Sequence, residues 1–204
     1  MGIHLELKRI FCLILKFEKK SVTRYNLAMN NNLWESLPLG EKSPEVINVV
    51  IEIQRGSQNK YEFDEKLGVF KLDRVLYSPF HYPLDYGFIP QTRSEDGDHL
   101  DALVIGSDPV QPGFLVECRP IGLLRMIDGG DLDFKVLAVQ KANPRFENIH
   151  DLKDIEAWQP HLLKEVAHFF ERYKDLQGKK TEIQGWFGAA EAKEEIKKAA
   201  ETYK

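Results

Sequence analysis

Beyond residue 45 the chain alternates short apolar runs with turn residues. The runs are rich in β-branched and aromatic side chains, which is the pattern of strands. They lie at about 46–53, 59–63, 69–74, 86–89, 102–105, 114–125 and 134–140. A helical period appears late, at about 159–176 and 188–202. The second of these sets Ala189, Ala192, Ile196 and Ala199 amid Glu and Lys, an amphipathic closing helix. There is no internal repeat and no low-complexity tract. Strands first and helices last predict a mainly β, α+β fold.

Composition changes this picture little. A chain of 204 residues with 43% hydrophobic and 29% charged residues suits one domain with a full core. The net charge is −4 and no block of basic residues occurs, so sequence-independent binding to nucleic acid is disfavoured. Cys12 and Cys118 show no paired spacing, which fits a reducing, cytoplasmic setting. His161 and His168 are seven apart, where a helical zinc pair would be four apart.

Residues 1–28 read differently. Six Lys and Arg stand there against Glu6 and Glu18, an excess of four positive charges that leaves −8 for the remainder. Ile10-Phe11-Cys12-Leu13-Ile14-Leu15 is apolar but far shorter than the ~20 residues of a membrane span. No small-residue cleavage site follows it. The reading is a dispensable extension over 1–28 and one domain over 29–204.

The chemistry concentrates in two acidic turns. Asp96-Gly97-Asp98-His99-Leu100-Asp101 puts three carboxylates within six residues, and Asp128-Gly129-Gly130-Asp131-Leu132-Asp133 follows downstream. Two carboxylates about 4 Å apart repel by on the order of 4 kcal/mol at an effective dielectric of 20. Acids this dense therefore imply either a solvated turn or bound cations. Both turns separate apolar runs, which favours cations, and all-oxygen donors favour hard ions such as Mg²⁺ or Mn²⁺. An EF-hand loop fits poorly, because Leu100 and Asp101 stand where it wants an oxygen ligand and Gly.

Cationic and phenolic residues accompany the acids: Lys60-Tyr61-Glu62, Asp73-Arg74, Tyr82-Pro83, Asp85-Tyr86-Gly87, Lys135 and Tyr173-Lys174. Lys and Arg beside hard-ion carboxylates suit a phosphate-bearing substrate, since Arg clamps oxygens in a fork and Lys adds point charges. With the entry run Val49-Val50-Ile51-Glu52-Ile53 and Phe169-Phe170-Glu171-Arg172, this ordered set resembles the soluble inorganic pyrophosphatases built on a small β-barrel. The likeness runs from about Leu33 to the C-terminus. One position departs: His99 stands where that family usually has Pro, and it is read as an exposed loop residue.

The resemblance implies a five-stranded barrel of the oligonucleotide-binding type with flanking helices. It implies hydrolysis of inorganic pyrophosphate with several Mg²⁺ ions per site, Mn²⁺ or Zn²⁺ being substitutes. It assigns Asp98 as general base, and Asp96, Asp101, Asp128, Asp133 and Glu52 as metal ligands. Lys60, Arg74 and Tyr86 would hold one end of the substrate, and Lys135, Tyr173 and Lys174 the other, with Glu62 and Tyr82 behind them. It further implies a homo-oligomer, hexamer favoured, and no membrane or nucleic-acid partner. Two other classes compete with this reading, a single-strand-binding barrel and a metal-dependent phosphatase for organic phosphates.

Overall fold

Ile47-Asn48-Val49-Val50-Ile51-Glu52-Ile53 is buried at every position, so the strand it forms must be covered on both faces. In the computed structural model, which describes residues 36–203, it is β1 (Ile47–Ile53). Every element belongs to the unit Leu37–Lys204. The extension expected over residues 1–28, with Cys12, lies outside the described residues.

β1 pairs with β4 (Asp85–Phe88), β4 with β5 (Asp101–Ile105), β5 with β7 (Asp131–Gln140) and β7 with β6 (Leu115–Asp128). β6 then pairs with β1, so five strands close into a ring and leave no open edge among themselves. A further strand, β8 (Thr181–Gly188), extends from β6. β2 (Asn59–Asp64) and β3 (Val69–Val75) form a separate two-stranded hairpin.

The alternation of side chains along the ring divides the core in two. Leu103, Ile105, Leu137 and Val139 enter one apolar cluster, with Val166, Phe169 and Phe170 of α2 (Leu162–Arg172). Ala102, Val104, Val136 and Ala138 enter the other, with Ala192, Ile196 and Ala199 of α3 (Ala189–Tyr203). Burying each large aliphatic side chain contributes about 1.5–3 kcal/mol, so packing holds these helices more than propensity does. Among the described residues no helix is long and apolar enough to cross a membrane.

Two elements depart from the sequence pattern. β8 was not expected: Gly185, at φ +129°, breaks its alternation. Nor was the short α1 (Leu152–Trp158), although Asp151 and Asp154 form a capping box at its start. The second acidic turn is also tighter than the pattern implies. β6 and β7 run right up to it, and only Gly129 and Gly130, at φ +65° and +108°, lie outside the ladder. A two-residue turn with both φ positive is one that glycine forms without strain.

Strand direction gathers the acids. β5 and β7 are parallel, so Asp101 at the start of one sits beside the start of the other, with Asp101 opposite Lys135. β6 runs antiparallel to β7 and ends there too, at Asp128.

Candidate active site

The pairing of Asp101 with Lys135 builds the floor of a cavity of about 280 Å³. Lys135 is almost fully buried. Its Nζ donates to Asp101 Oδ2 and to Asp133 Oδ1, each at 2.7 Å, and lies 3.4 Å from the Tyr86 hydroxyl. The Tyr86 hydroxyl in turn donates to Asp101. Burial opposes the charge on Lys135, yet Asp101 and Asp133 outweigh it and hold its pKa well above the ordinary lysine value. Tyr86 is placed by β4, where Gly87 lets two strands touch: a Cβ there would lie 1.9 Å from the Val50 carbonyl oxygen.

The other walls come from α2 and the hairpin. Just past α2, buried Tyr173 packs on Phe169 with ring centroids 5.2 Å apart, and Lys174 donates to Asp128. Burial lowers the Lys174 pKa and pushes Tyr173 up. In the hairpin Lys60 stands cross-strand from Arg74, donates to Glu62 and lies 3.8 Å from Asp73.

Asp96 and Asp98 occupy the loop between β4 and β5. The Asp98 amide donates to Asp96 Oδ1 at 3.0 Å, and the Ser94 amide to the Asp98 carbonyl at 2.8 Å. Burial, then Asp96 and Asp101, raise the Asp98 pKa above the usual carboxylate range. Among the described residues no group donates to its carboxylate, which faces the cavity.

The residues expected from the sequence thus line or underlie one cavity, with two differences, at Arg74 and Glu62. Arg74 is not on the cavity wall: it pairs with Asp73, and its buried Nε has no hydrogen-bond partner among the described residues. Tyr82 is buried beneath, 5.5 Å from the Tyr86 ring and 5.0 Å from Phe169. Glu62, expected behind the ligands, lines the cavity itself.

The reading of His99 as an exposed loop residue is corrected. Its side chain is only 15% exposed and stacks on Phe88, with centroids 4.8 Å apart. Nδ1 meets the Thr92 carbonyl at 2.8 Å and Nε2 meets Glu65 Oε1 at 2.9 Å. Burial lowers its pKa even though Glu65 pulls the other way. Glu65 itself, which also accepts from Arg93 at 2.9 and 3.2 Å, carries no motif and was missed. An acid beside Lys66 in a turn gives no signal from the sequence alone.

Eight carboxylates and three lysines line the cavity. Among the described residues no three acids converge on one point, because lysines occupy the space between them. The donor set nevertheless fits hard divalent cations: it is all oxygen, and the acids exceed the lysines that face them. Asp133 expresses this excess, its pKa raised by burial despite Lys135.

Glu52 expresses it most. Burial pushes its pKa up to about 8, although it accepts from the Phe63 amide at 2.8 Å. In protein freed of divalent cations Glu52 is then protonated in the fold and ionised in the unfolded chain at neutral pH. A raised acid pKa means that the folded state binds more protons, so stability rises as pH falls from about 8 toward the unfolded value of 4.5. Urea melts at both ends of that window should show a smaller pH dependence in Glu52→Gln than in the parent. An unchanged dependence would contradict the assignment.

The model of the family described as inorganic pyrophosphatase matches residues 49–204. The inorganic pyrophosphatase of Nostoc sp. is 49% identical over 164 residues, covering 80% of this chain and 95% of that protein. That of Geobacillus stearothermophilus is 52% identical over 143 residues, covering 70% of this chain and 85% of that one. The crystal structure of inorganic pyrophosphatase from Thermus thermophilus superposes with a TM-score of 0.79 at 46% identity, over 83% of this chain and 98% of that chain.

Proposed function

This chain belongs to the inorganic pyrophosphatase family, and from that membership we propose that it hydrolyses inorganic pyrophosphate to two orthophosphates with divalent cations, Mg²⁺ above all. The observation that carries the reading is the cavity in which eight carboxylates face three lysines. Pyrophosphate is a small, dense anion, and acids alone would repel it. Lysines, phenols and acid-held cations together receive it.

Lys60 and Tyr86 hold one phosphoryl end in this reading, Arg74 joining them when its guanidinium leaves Asp73, and Lys135, Tyr173 and Lys174 hold the other. The lysines give charge-assisted hydrogen bonds to phosphoryl oxygens. The buried phenols donate without adding charge, since their raised pKa keeps them protonated. Asp96, Asp101 and Asp133 would hold one cation, Asp101 would also serve a second, Asp128 and Asp133 would serve those that come with substrate, and Glu52 would contribute through water. When bound, such cations neutralise phosphoryl oxygens and make a water more acidic. Asp98 takes the proton of the attacking water, and its raised pKa brings its basicity closer to working pH.

The test is phosphate release from pyrophosphate set against ATP and a phenyl phosphate. Pyrophosphate turned over far faster than either supports the reading, and equal rates would favour a general phosphatase. The family match covers residues 49–204 and leaves 1–28 outside it, so a chain begun at Met29 should keep full turnover and melting temperature. A large fall in either would show that the extension takes part. A cytoplasmic homo-oligomer, hexamer favoured, completes the proposal.

A further inference from the structure

The hairpin β2–β3 carries Lys60 and Glu62, yet it shares no ladder with the six-stranded sheet that carries Tyr86, Asp101, Asp128 and Lys135. Backbone bonds between Gly56, Ser57 and Tyr82 tie the base of the hairpin to the rest, and the Phe63 amide bond to Glu52 ties β2 further along, which leaves the tip, at the turn after β2, to be held by side chains. Glu65, in the turn just after β2, reaches across this gap. It accepts from Arg93 through both oxygens, at 2.9 and 3.2 Å, and its Oε1 lies 2.9 Å from His99 Nε2. Arg93 and His99 flank Asp96 and Asp98 in the loop between β4 and β5.

Both residues that Glu65 grips are themselves anchored. The Arg93 amide donates to the Ala199 carbonyl of α3 at 2.8 Å, and its guanidinium lies over Tyr203 at 5.3 Å. His99 Nδ1 meets the Thr92 carbonyl, and the Thr92 hydroxyl accepts from the Leu100 amide at 2.9 Å while donating to the Ile89 carbonyl at 2.6 Å. An aromatic stack follows the same route. Phe63 of β2 lies 5.8 Å from Phe88 at an interplanar angle of 24°, and Phe88 lies 4.8 Å from His99 at 14°.

We propose that Glu65 is a positioning residue, clamping the substrate-holding hairpin to the acidic loop through its two-oxygen bridge to Arg93, with the His99 ring packed beside that bridge. The clamp sets the separation between Lys60 and the Asp96–Asp98–Asp101 cluster. Its effect falls on the fit of the substrate between two sheets, and no atom of Glu65 needs to touch the reacting groups.

The inference rests on the proposed activity only for its kinetic arm. The test compares the parent with Glu65→Ala, Glu65→Gln and Arg93→Ala in two measurements. Amide hydrogen exchange on protein freed of divalent cations should speed up in residues 59–75 and 89–100 of Glu65→Ala, with α2 and β6 at parent rates. Turnover of pyrophosphate should show KM raised about tenfold with a smaller change in kcat, since a loosened clamp misplaces the binding groups more than the base. Glu65→Gln, which keeps one of the two acceptor oxygens, should recover part of both effects. Arg93→Ala added to Glu65→Ala should cost little more than either alone, because both cut the same bridge. Exchange unchanged in the two segments, or raised uniformly across the chain, would overturn the clamp. So would additive kinetic losses. A parent without pyrophosphatase activity would refute the function instead and leave the exchange measurement to judge the clamp.

Discussion

Asp98→Asn is expected to lose roughly 10²–10⁴-fold in kcat, because the amide keeps the size of the side chain and removes its basicity. KM for pyrophosphate and the Mg²⁺ concentration at half-maximal rate should move far less. In the proposed site Asp98 takes a proton, and among the described residues its carboxylate accepts no hydrogen bond that anchors another group. Asp101→Asn should behave differently. Asp101 accepts from both Lys135 and Tyr86 and is the proposed shared ligand of two cations. Halving its acceptor capacity and removing its charge should weaken cation binding, with turnover partly restored at high Mg²⁺. Titrating both variants with Mg²⁺ and reading kcat at saturation separates the roles. Rescue of Asp98→Asn by metal without rescue of Asp101→Asn would reverse them.

Lys135→Met is the second large effect, and it appears first in stability. Lys135 is 2% exposed and spans Asp101 and Asp133, whose side chains are 24% and 17% exposed. Removing one partner of a buried ion pair costs about 3–5 kcal/mol, because the charge left behind stays uncompensated. Water reaches both acids here, so about 3 kcal/mol is expected at neutral pH in chelator, read by urea denaturation. Added Mg²⁺ should return part of that loss, since a cation serves the same two carboxylates. Turnover should also fall by about tenfold to a hundredfold in kcat/KM, the worth of one charge-assisted hydrogen bond. A stability loss under about 1 kcal/mol would mean that the pair is not the site's electrostatic keystone.

What the sequence discloses depends on how locally each feature is encoded. Asp96, Asp98 and Asp101 announce themselves, because three acids in six residues are hard to account for without a counter-charge. Most strands are legible from apolar runs, yet the closing pair, Ile47 opposite Cys118, joins residues far apart in the chain and leaves no periodic trace. The likeness to a known family supplied the barrel that pattern alone did not. β8 escapes because Gln184 and Gly185 interrupt its alternation, where the strand bends against β6 with a register shift. α1 escapes because seven residues are too few to establish a period, even with its capping box. The partnership of Glu65 with His99 spans the hairpin and a loop, and nothing in either segment names the other. His99 reads as a loop residue from its neighbours and becomes a largely buried ring only once β4 brings Phe88 beneath it.

The cavity of acids and lysines should hydrolyse pyrophosphate only when divalent cations fill it. The direct measurement is phosphate release from pyrophosphate by the purified full chain, with Mg²⁺ supplied, then removed by chelator, then restored. Release with Mg²⁺, loss to background in chelator, and recovery when Mg²⁺ returns are expected. Release that persists at full rate in chelator, or that never occurs with Mg²⁺ present, would contradict the proposed function.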